Sequence, residues 1–572
     1  MSATGRRNAR SNVTIVLLYT LGAIWLTSRF WGHPTSRLPG GSDGELFAWF
    51  LGWTPHALAH GQNLLLTHAA LAPGPVNLMW NTLAPVLGLI AAPITLIWGP
   101  IASVNVMVAA AFVANATAAW WVLRRWCETL PAVFGGALYG FGPYVLGASL
   151  GHLNLAFVPL PWIMLALGDD LIVRRRPPLR CGVLLGLVVA TQALISEEVL
   201  ATCAIVAGCA VVVLMLLRRH DVRSRIRSTF IGLGVAILTA AVILAWPLYI
   251  QFAGPGRVNG TFPNLFGAVA DLYGTVVPGP LLIATNHHLV ALFHHFPTNG
   301  SESTSYLGIP LIAALIYVGW TKRRDPVIAT ASITATLAAI LALGSHLHVG
   351  GHDTHVILPW RVIFQLPVLA NAIPVRLSLF VMLFAALVLA RGFTRPASTG
   401  GRWAASILGL AIVVSLLPAR VSATEFSTPA FFLSSHDRRL LAGLRPALVL
   451  PLAYSGDARA MAWQANADFA FSMVGGYLVT PNDRGQPSYG TTANAFERAL
   501  VDVDLGKRSV WTKRDLADWR SEFATMDLSN VVLGPTRWQA RLDSLVDAVL
   551  NCDGRMVDGV TVWATSDCRR SR

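Results

Sequence analysis

Charge is what this sequence has least of. Charged residues make up 13% of the 572 and hydrophobic residues 54%, whereas a soluble globular domain carries about 25% charge. That excludes a chain that is soluble throughout. Lysine is nearly missing: Lys322, Lys507 and Lys513 are the only three among 43 basic residues, a usage that fits a GC-rich bacterial genome. The net charge of +14 does not point to nucleic acid, because the arginines stand in short clusters between apolar runs instead of forming one basic face. Cysteine is scarce as well. Cys127, Cys181, Cys203 and Cys209 lie in or beside apolar runs and read as packing residues, which leaves Cys552 and Cys568 in the polar C-terminal stretch. There is no Walker loop, no dinucleotide fingerprint and no soluble nucleotide-sugar motif. No repeat of fixed period is present, which weighs against a repeat-built transporter.

What is there is a series of apolar runs of about the 20 residues needed to cross hydrocarbon. The first, 13–27, follows Arg6, Arg7 and Arg10 and is trailed by Ser28-Arg29-Phe30-Trp31. No small-x-small cleavage site follows, so it is expected to be an uncleaved first helix. Runs follow at 83–98, 101–123, 132–150, 155–172, 181–196, 199–217, 229–250, 306–320, 327–343, 375–390 and 403–418. If all of them spanned, the basic clusters at 124–125, 174–180, 218–227, 322–324 and 391–402 would fall outside, against the positive-inside rule. Making 83–98 re-entrant or interface-lying returns every cluster to the cytoplasm. That segment contains Pro85 and Pro93 and ends at Gly99-Pro100, as a broken helix would. Of the basic residues before Arg420, 20 then lie inside and only Arg29, Arg37, Arg257, Arg361 and Arg376 outside.

The expected fold is therefore an all-α polytopic membrane bundle of about eleven spanning helices over 1–420, with the N-terminus in. Its long outer loops are 30–100, 251–305 and 344–374. Residues 421–572 have ordinary soluble composition and are expected to form a small α/β extracytoplasmic domain. In it, 449–452 and 530–534 read as strands, and 492–504 and 537–550 as helices. The segment 555–563 reads as a hairpin that could bring Cys568 back to Cys552, a disulfide in an oxidising compartment.

Short inner and long outer loops put any chemistry on the outer side. The first outer loop carries Asp43 and Glu45 on a glycine-rich turn, followed by the aromatic helix that contains Trp49. Asp43 would sit at the membrane surface, where a lipid-linked substrate presents its headgroup; otherwise it only caps the following helix. Glu197 and Glu198 lie at a helix mouth, as a second base, a metal ligand or an acceptor-orienting group, unless one merely bounds the helix. Arg376, in Ile373-Pro374-Val375-Arg376, could grip a phosphate through a planar guanidinium or snorkel to headgroups. Arg361 is a second candidate. Outer histidines, His287, His288, His294 and His295, then His346, His348, His352 and His355, read first as interface residues meeting headgroups or substrate; a divalent metal is the alternative, but they match no specific ligand spacing. Met461 to Gln464 and Gly475-Gly476-Tyr477 read as core or as a sugar-binding surface.

With Asp43 in the first outer loop, Pro73-Gly74-Pro75-Val76-Asn77-Leu78, the Gly99-Pro100 turn and Pro374-Val375-Arg376 before a late helix, the sequence resembles the GT-C superfamily of membrane glycosyltransferases that use polyprenyl-phosphate sugars. The resemblance covers most of the membrane part. It implies a general-base role for Asp43. The chain departs from the pattern at Gly151-His152-Leu153-Asn154, where the superfamily carries an acidic pair, so a metal site is not implied there. The expected function is transfer of a sugar from a polyprenyl-phosphate donor to a glycan, lipid or protein acceptor at the outer face of a bacterial cytoplasmic membrane. The expected catalytic set is Asp43, Glu45, Glu197 and Glu198. Arg376, Arg361, His152 and Trp49 are expected to bind substrate or phosphate, with membrane lipids as neighbours and no nucleic acid; the sequence marks no certain cofactor and leaves a divalent metal open. The rival is a transporter or flippase of lipid-linked saccharide, which would place ionisable groups mid-helix along a path. Here they gather at helix ends.

Overall fold

The computed structural model describes residues 3–219, 223–261, 268–302, 304–366, 369–394, 399–441, 445–490 and 494–570. Parts of the basic clusters at 218–227 and 391–402, of the loops 251–305 and 344–374, and the start of the helix expected at 492–504 lie outside the described residues. The chain is mostly helical and divides into two compact units. One comprises Met1–Gly32, Val106–Ala245 and Pro263–Ser422; the other gathers His33–Asn105, Trp246–Phe262 and Ala423–Arg572.

The first unit is helical and apolar. Five helices in the chain are long and apolar enough to cross a membrane, and five shorter apolar helices accompany them, among the described residues. The helix Ser378–Gly392 is the buried centre of its unit: every residue from Ser378 to Ala390 is buried. The helix Ile226–Ala253 instead exposes Phe230, Ile237 and Val242 at 68, 70 and 71%. Such a surface costs free energy in water and suits contact with lipid. The run expected at 132–150 is not one helix. It forms Thr129–Gly140 and Pro143–Ala148, because Gly142 adopts extended backbone ahead of Pro143, which has no N–H to continue the ladder.

The loop ends that carry basic clusters meet in this unit. Arg125 bonds both oxygens of Asp170 at 2.8 and 3.1 Å, and Arg174 donates to the Arg125 carbonyl at 3.0 Å. Arg391 donates to Asp325 at 2.9 Å and to the Trp126 carbonyl at 2.6 Å.

The helix Pro85–Leu123 is broken at Gly99, whose φ of 83° and ψ of 169° are open only to glycine. Thr95 and Ser103 hydroxyls lie 2.8 Å apart across the break, and Ser103 donates to the Gly99 carbonyl at 3.1 Å. The arm 85–98 is about 21 Å long at 1.5 Å per residue, short of the roughly 30 Å hydrocarbon thickness. In a background lacking the four free cysteines, a cysteine at the exposed Gln62 should react with an impermeant maleimide in intact cells. One at the exposed Glu128 should react only after permeabilisation. Both sites reacting from the same side would overturn the topology in which 83–98 does not cross.

The second unit is built on a five-stranded sheet, ordered Arg555–Val557, Val560–Ala564, Asn530–Leu533, Ala447–Leu450, Met473–Val474. Ala447–Leu450 is buried along its whole length and pairs in parallel with both neighbours, as an unbroken apolar run should. Helices Ala495–Asp504, Lys513–Thr525 and Gln539–Leu550 supply Phe496, Leu500, Trp519, Leu542 and Leu545 to its core. The first two start in capping boxes, Asn494 with Glu497 and Thr512 with Asp515. The expected hairpin is present as Arg555–Val557 and Val560–Ala564. It returns the chain so that Cys552 and Cys568, with Cα atoms 5.5 Å apart, form a disulfide.

The polar C-terminal region shares its unit with the first long loop. Strand Arg37–Pro39 pairs antiparallel with Ala423–Glu425, and helix Ser42–Ala59 packs along Arg459–Asn466. Asn77 of the Pro73–Leu78 stretch is fully buried and donates to the Ile250 and Pro255 carbonyls at 2.7 and 3.1 Å.

Candidate active site

In the second unit the carboxylates of the first long loop stand in the first turn of helix Ser42–Ala59. Gly41 precedes it with φ 98° and has no side chain to cap the helix, so Asp43 and Glu45 supply the negative charge that the helix N-terminus favours. Asp43 is half-buried and accepts a hydrogen bond from the Tyr477 phenol. Burial, and next the Asp43 charge, push that phenol well above its ordinary value, so Tyr477 stays protonated and donates. Its ring also meets Tyr489 at 5.2 Å.

Glu45 has a different environment. Its Oε2 accepts the Ala458 N–H at 2.8 Å, beside the Asp457–Arg459 ion pair. Burial first, then the Asp457 charge, raise it to about 8. Two neighbouring carboxyls in unlike environments can divide acid and base duties. Because the folded-state value lies above the ordinary 4.5, Glu45 contributes its full stability below that value and loses it as pH rises toward about 8. Glu45→Gln keeps an acceptor for Ala458 and removes the titration. Its unfolding free energy should therefore gain on the parent's as pH goes from 5 to 8, by at most about 1.4 kcal/mol per pH unit, and its melting temperature should rise relative to the parent's. Parallel melting curves across that range would show Glu45 to be unperturbed.

Trp49, expected to bind substrate, sits in a packed core. It is fully buried, stacked on Trp53 with centroids 5.7 Å apart, and its Nε1 donates to Gln464 Oε1 at 2.7 Å. Gln464 spends its amide on the Ala69 and Phe471 carbonyls at 2.6 and 2.8 Å. Met461 to Gln464 are thus core, while Tyr477 faces Asp43.

A second cluster is built wholly within the first unit. Arg376 donates through Nε to Glu302 Oε1 at 3.0 Å, through Nη2 to the same oxygen, and through Nη1 to Glu198 Oε2. The other Glu198 oxygen accepts the Ile373 N–H at 2.9 Å. Glu302 is 4% exposed. Burial alone would raise its pKa, but the Arg376 charge and hydrogen bonds outweigh burial and hold it below the usual range, with His152 adding a smaller pull. Tyr144, fully buried, feels all three charged groups. Helix Pro143–Ala148 approaches the Glu302 loop so closely that a Cβ on Gly147 would lie 2.8 Å from the Ser301 carbonyl. Glycine is required there.

This geometry changes the expected role of Arg376. One guanidinium between two carboxylates makes a cluster of net charge −1, and a phosphate brought to it would meet both. Arg376 holds Glu198 and Glu302 in place, rather than standing open to grip an anion. Glu197, exposed beside Ser196, which caps its helix through the Val199 N–H at 3.3 Å, lies outside the described ion pairs of this cluster. Arg361 is exposed and lies 3.3 Å from His346 Nε2, on the His346–Val349/His352–Ile357 hairpin. None of His287, His288, His294 and His295 joins a group of three metal-ligating side chains among the described residues. An apolar cavity of about 850 Å³, lined by Trp126, Met164, Arg174, Leu214 and Leu387, lies toward the Arg391 end of helix Ser378–Gly392, away from Arg376.

Sequence reading singled out Tyr477 but not its pairing with Asp43, and it missed Glu302, Asp457 and Arg459. Each is a single polar residue in a loop or at a strand or helix edge, with no local pattern to mark it.

No protein-family model and no curated protein matches the chain. Solved structures do. Arabinofuranosyltransferase AftD from Mycobacteria aligns over 96% of this chain at 15% identity with a TM-score of 0.53. Its R1389S mutant, class 2, aligns over 96% at 13% identity with a TM-score of 0.55. This is a GT-C fold. The chain spans 40% of the length of AftD. ArnT from Cupriavidus metallidurans, solved bound to undecaprenyl phosphate, aligns over 99% of this chain and 98% of its own at 11% identity, with a TM-score of 0.45. Within the GT-C fold of this chain, Asp43 lies on the first long loop after the first apolar helix.

Proposed function

We propose that the chain is a glycosyltransferase that moves a sugar from a polyprenyl-phosphate donor to a cell-envelope acceptor at the outer face of a bacterial cytoplasmic membrane. The observation that carries this reading is Asp43. It is a half-exposed carboxylate in the first turn of a helix, held by the Tyr477 hydroxyl, in a chain with the GT-C fold. An acceptor hydroxyl within reach of Asp43 gives up its proton to the carboxylate as its oxygen bonds the anomeric carbon. The bond from that carbon to the phosphate oxygen breaks, and its electron pair leaves with the polyprenyl phosphate. Glu45, proton-bearing near neutral pH, keeps a second negative charge away from Asp43. Arg376 acts as a positioning residue for Glu198 and Glu302. The acceptor is a glycan, a glycolipid or a glycoprotein.

The test is a purified chain in proteoliposomes supplied with pentosyl and hexosyl polyprenyl phosphates and a cell-envelope extract. Donor consumption with release of free polyprenyl phosphate and a heavier acceptor is the expected result. Donor carried intact across the bilayer, with none consumed, would make the chain a flippase.

A further inference from the structure

We propose that the chain holds a zinc-type divalent ion at the C-terminal end of helix Ser42–Ala59, bound by His56, His60 and Asp468. A ring nitrogen from each histidine and a carboxylate oxygen of Asp468 lie within 4.8 Å of one another. His56 Nδ1 is 2.9 Å from Asp468 Oδ1, and the two imidazole centroids are 4.2 Å apart. The helix sets this up: residues four apart share a face, so His56 and His60 project together.

The tautomer of His60 is fixed by the backbone. Its Nδ1 lies 2.9 Å from the His56 carbonyl oxygen, which can only accept. Nδ1 therefore carries the proton and Nε2 keeps its lone pair. A backbone carbonyl holding one imidazole nitrogen so that the other can bind metal is the usual arrangement around a metal-ligating histidine. The His56 ring is locked by Phe469 at 4.9 Å and Trp53 at 5.9 Å, and it is 8% exposed. Asp468 and Phe469 turn the chain with φ of 51° and 52°, delivering the carboxylate to the histidines from the end of helix Arg459–Asn466. His60 and Asp468 are both exposed and can close the remaining gap to zinc–ligand distances of about 2.0 to 2.2 Å. Two imidazoles and one carboxylate suit zinc and its first-row neighbours, and disfavour calcium or magnesium, which take oxygen ligands. Water completes a tetrahedral shell.

The site is about 20 Å along its helix from Asp43, at 1.5 Å per residue over 13 residues, so it stands apart from the candidate catalytic carboxylates. A second group, His346, Asp353 and His355, fits a cation less well, because the Arg361 guanidinium lies 3.3 Å from the His346 ring.

The experiment uses the full chain, purified through a tag without histidine, stripped with a chelator and titrated with zinc alone against a chromophoric competitor. One zinc per chain is expected, lost in His60→Ala and in Asp468→Asn, and kept in His346→Ala/His355→Ala. Cobalt in place of zinc should give the intense visible bands of a tetrahedral site in the parent, and none in His60→Ala. His60 is exposed, so that variant folds; an unchanged disulfide and melting curve in the absence of metal will confirm it. No stoichiometric binding, or full binding retained by His60→Ala, overturns the proposal and leaves His56 and Asp468 as an ordinary polar pair.

Discussion

Asp43→Asn loses about 100- to 10,000-fold of glycosyl transfer, the range for removing a general base, while the protein inserts and melts as before. The fold tolerates the change because the asparagine carbonyl can still accept the Tyr477 hydrogen bond and the side-chain volume is kept. What it cannot do at neutral pH is take a proton from an acceptor hydroxyl. The loss should therefore fall on kcat with donor binding retained, which initial rates at saturating donor will show. Tyr477→Phe should give a smaller loss, with a changed pH profile, since it removes only the donor that orients Asp43. Turnover at the parental level in purified Asp43→Asn would remove Asp43 from the mechanism and turn attention to Glu45.

Arg376→Ala destabilises the first unit by about 3 to 5 kcal/mol, the cost of stripping one partner from a buried ion pair. The side chains of Arg376, Glu198 and Glu302 are 13, 22 and 6% exposed, so solvent screens them little. With the guanidinium gone, two carboxylates face each other with few donors. They must take up a proton or let water in. Thermal melts in detergent check this, and Glu198→Gln/Glu302→Gln in the Arg376→Ala background should recover part of the loss by removing both stranded charges. If Arg376→Ala melted like the parent and lost only affinity for polyprenyl phosphate, the open phosphate grip would be the correct role after all.

Some of the site was legible in the sequence. Asp43 and Glu45 stood out because a glycine-rich turn precedes a long aromatic helix, and that local pattern does mark a helix start. Glu198 and Arg376 stood out as charges at helix mouths. The links between them did not. Glu302 lies 74 residues from Arg376, which lies 178 from Glu198, and neither spacing leaves a trace in local periodicity. Arg376 alone looked like a cation in search of an anion; in place, it has two. Trp49 shows the same limit from the other side. Its position in an aromatic helix was plain, but its neighbour Gln464 is 415 residues away, so a residue expected at the substrate is inside a core.

Composition and pattern by themselves determined the membrane character, the apolar runs, the break at Gly99-Pro100 and the hairpin that brings Cys568 back to Cys552. Each follows from properties of a few adjacent residues: length of apolar run, a φ that only glycine adopts, a proline with no N–H. Only the tertiary structure decided that the first long loop and 246–262 fold with the C-terminal region, that Tyr477 holds Asp43, and that Arg376 is closed between Glu198 and Glu302. Those outcomes depend on which distant surfaces bury one another best. Burial and the pairing of buried charge are energies of the whole packed unit, and a single stretch of chain carries no record of its eventual partner.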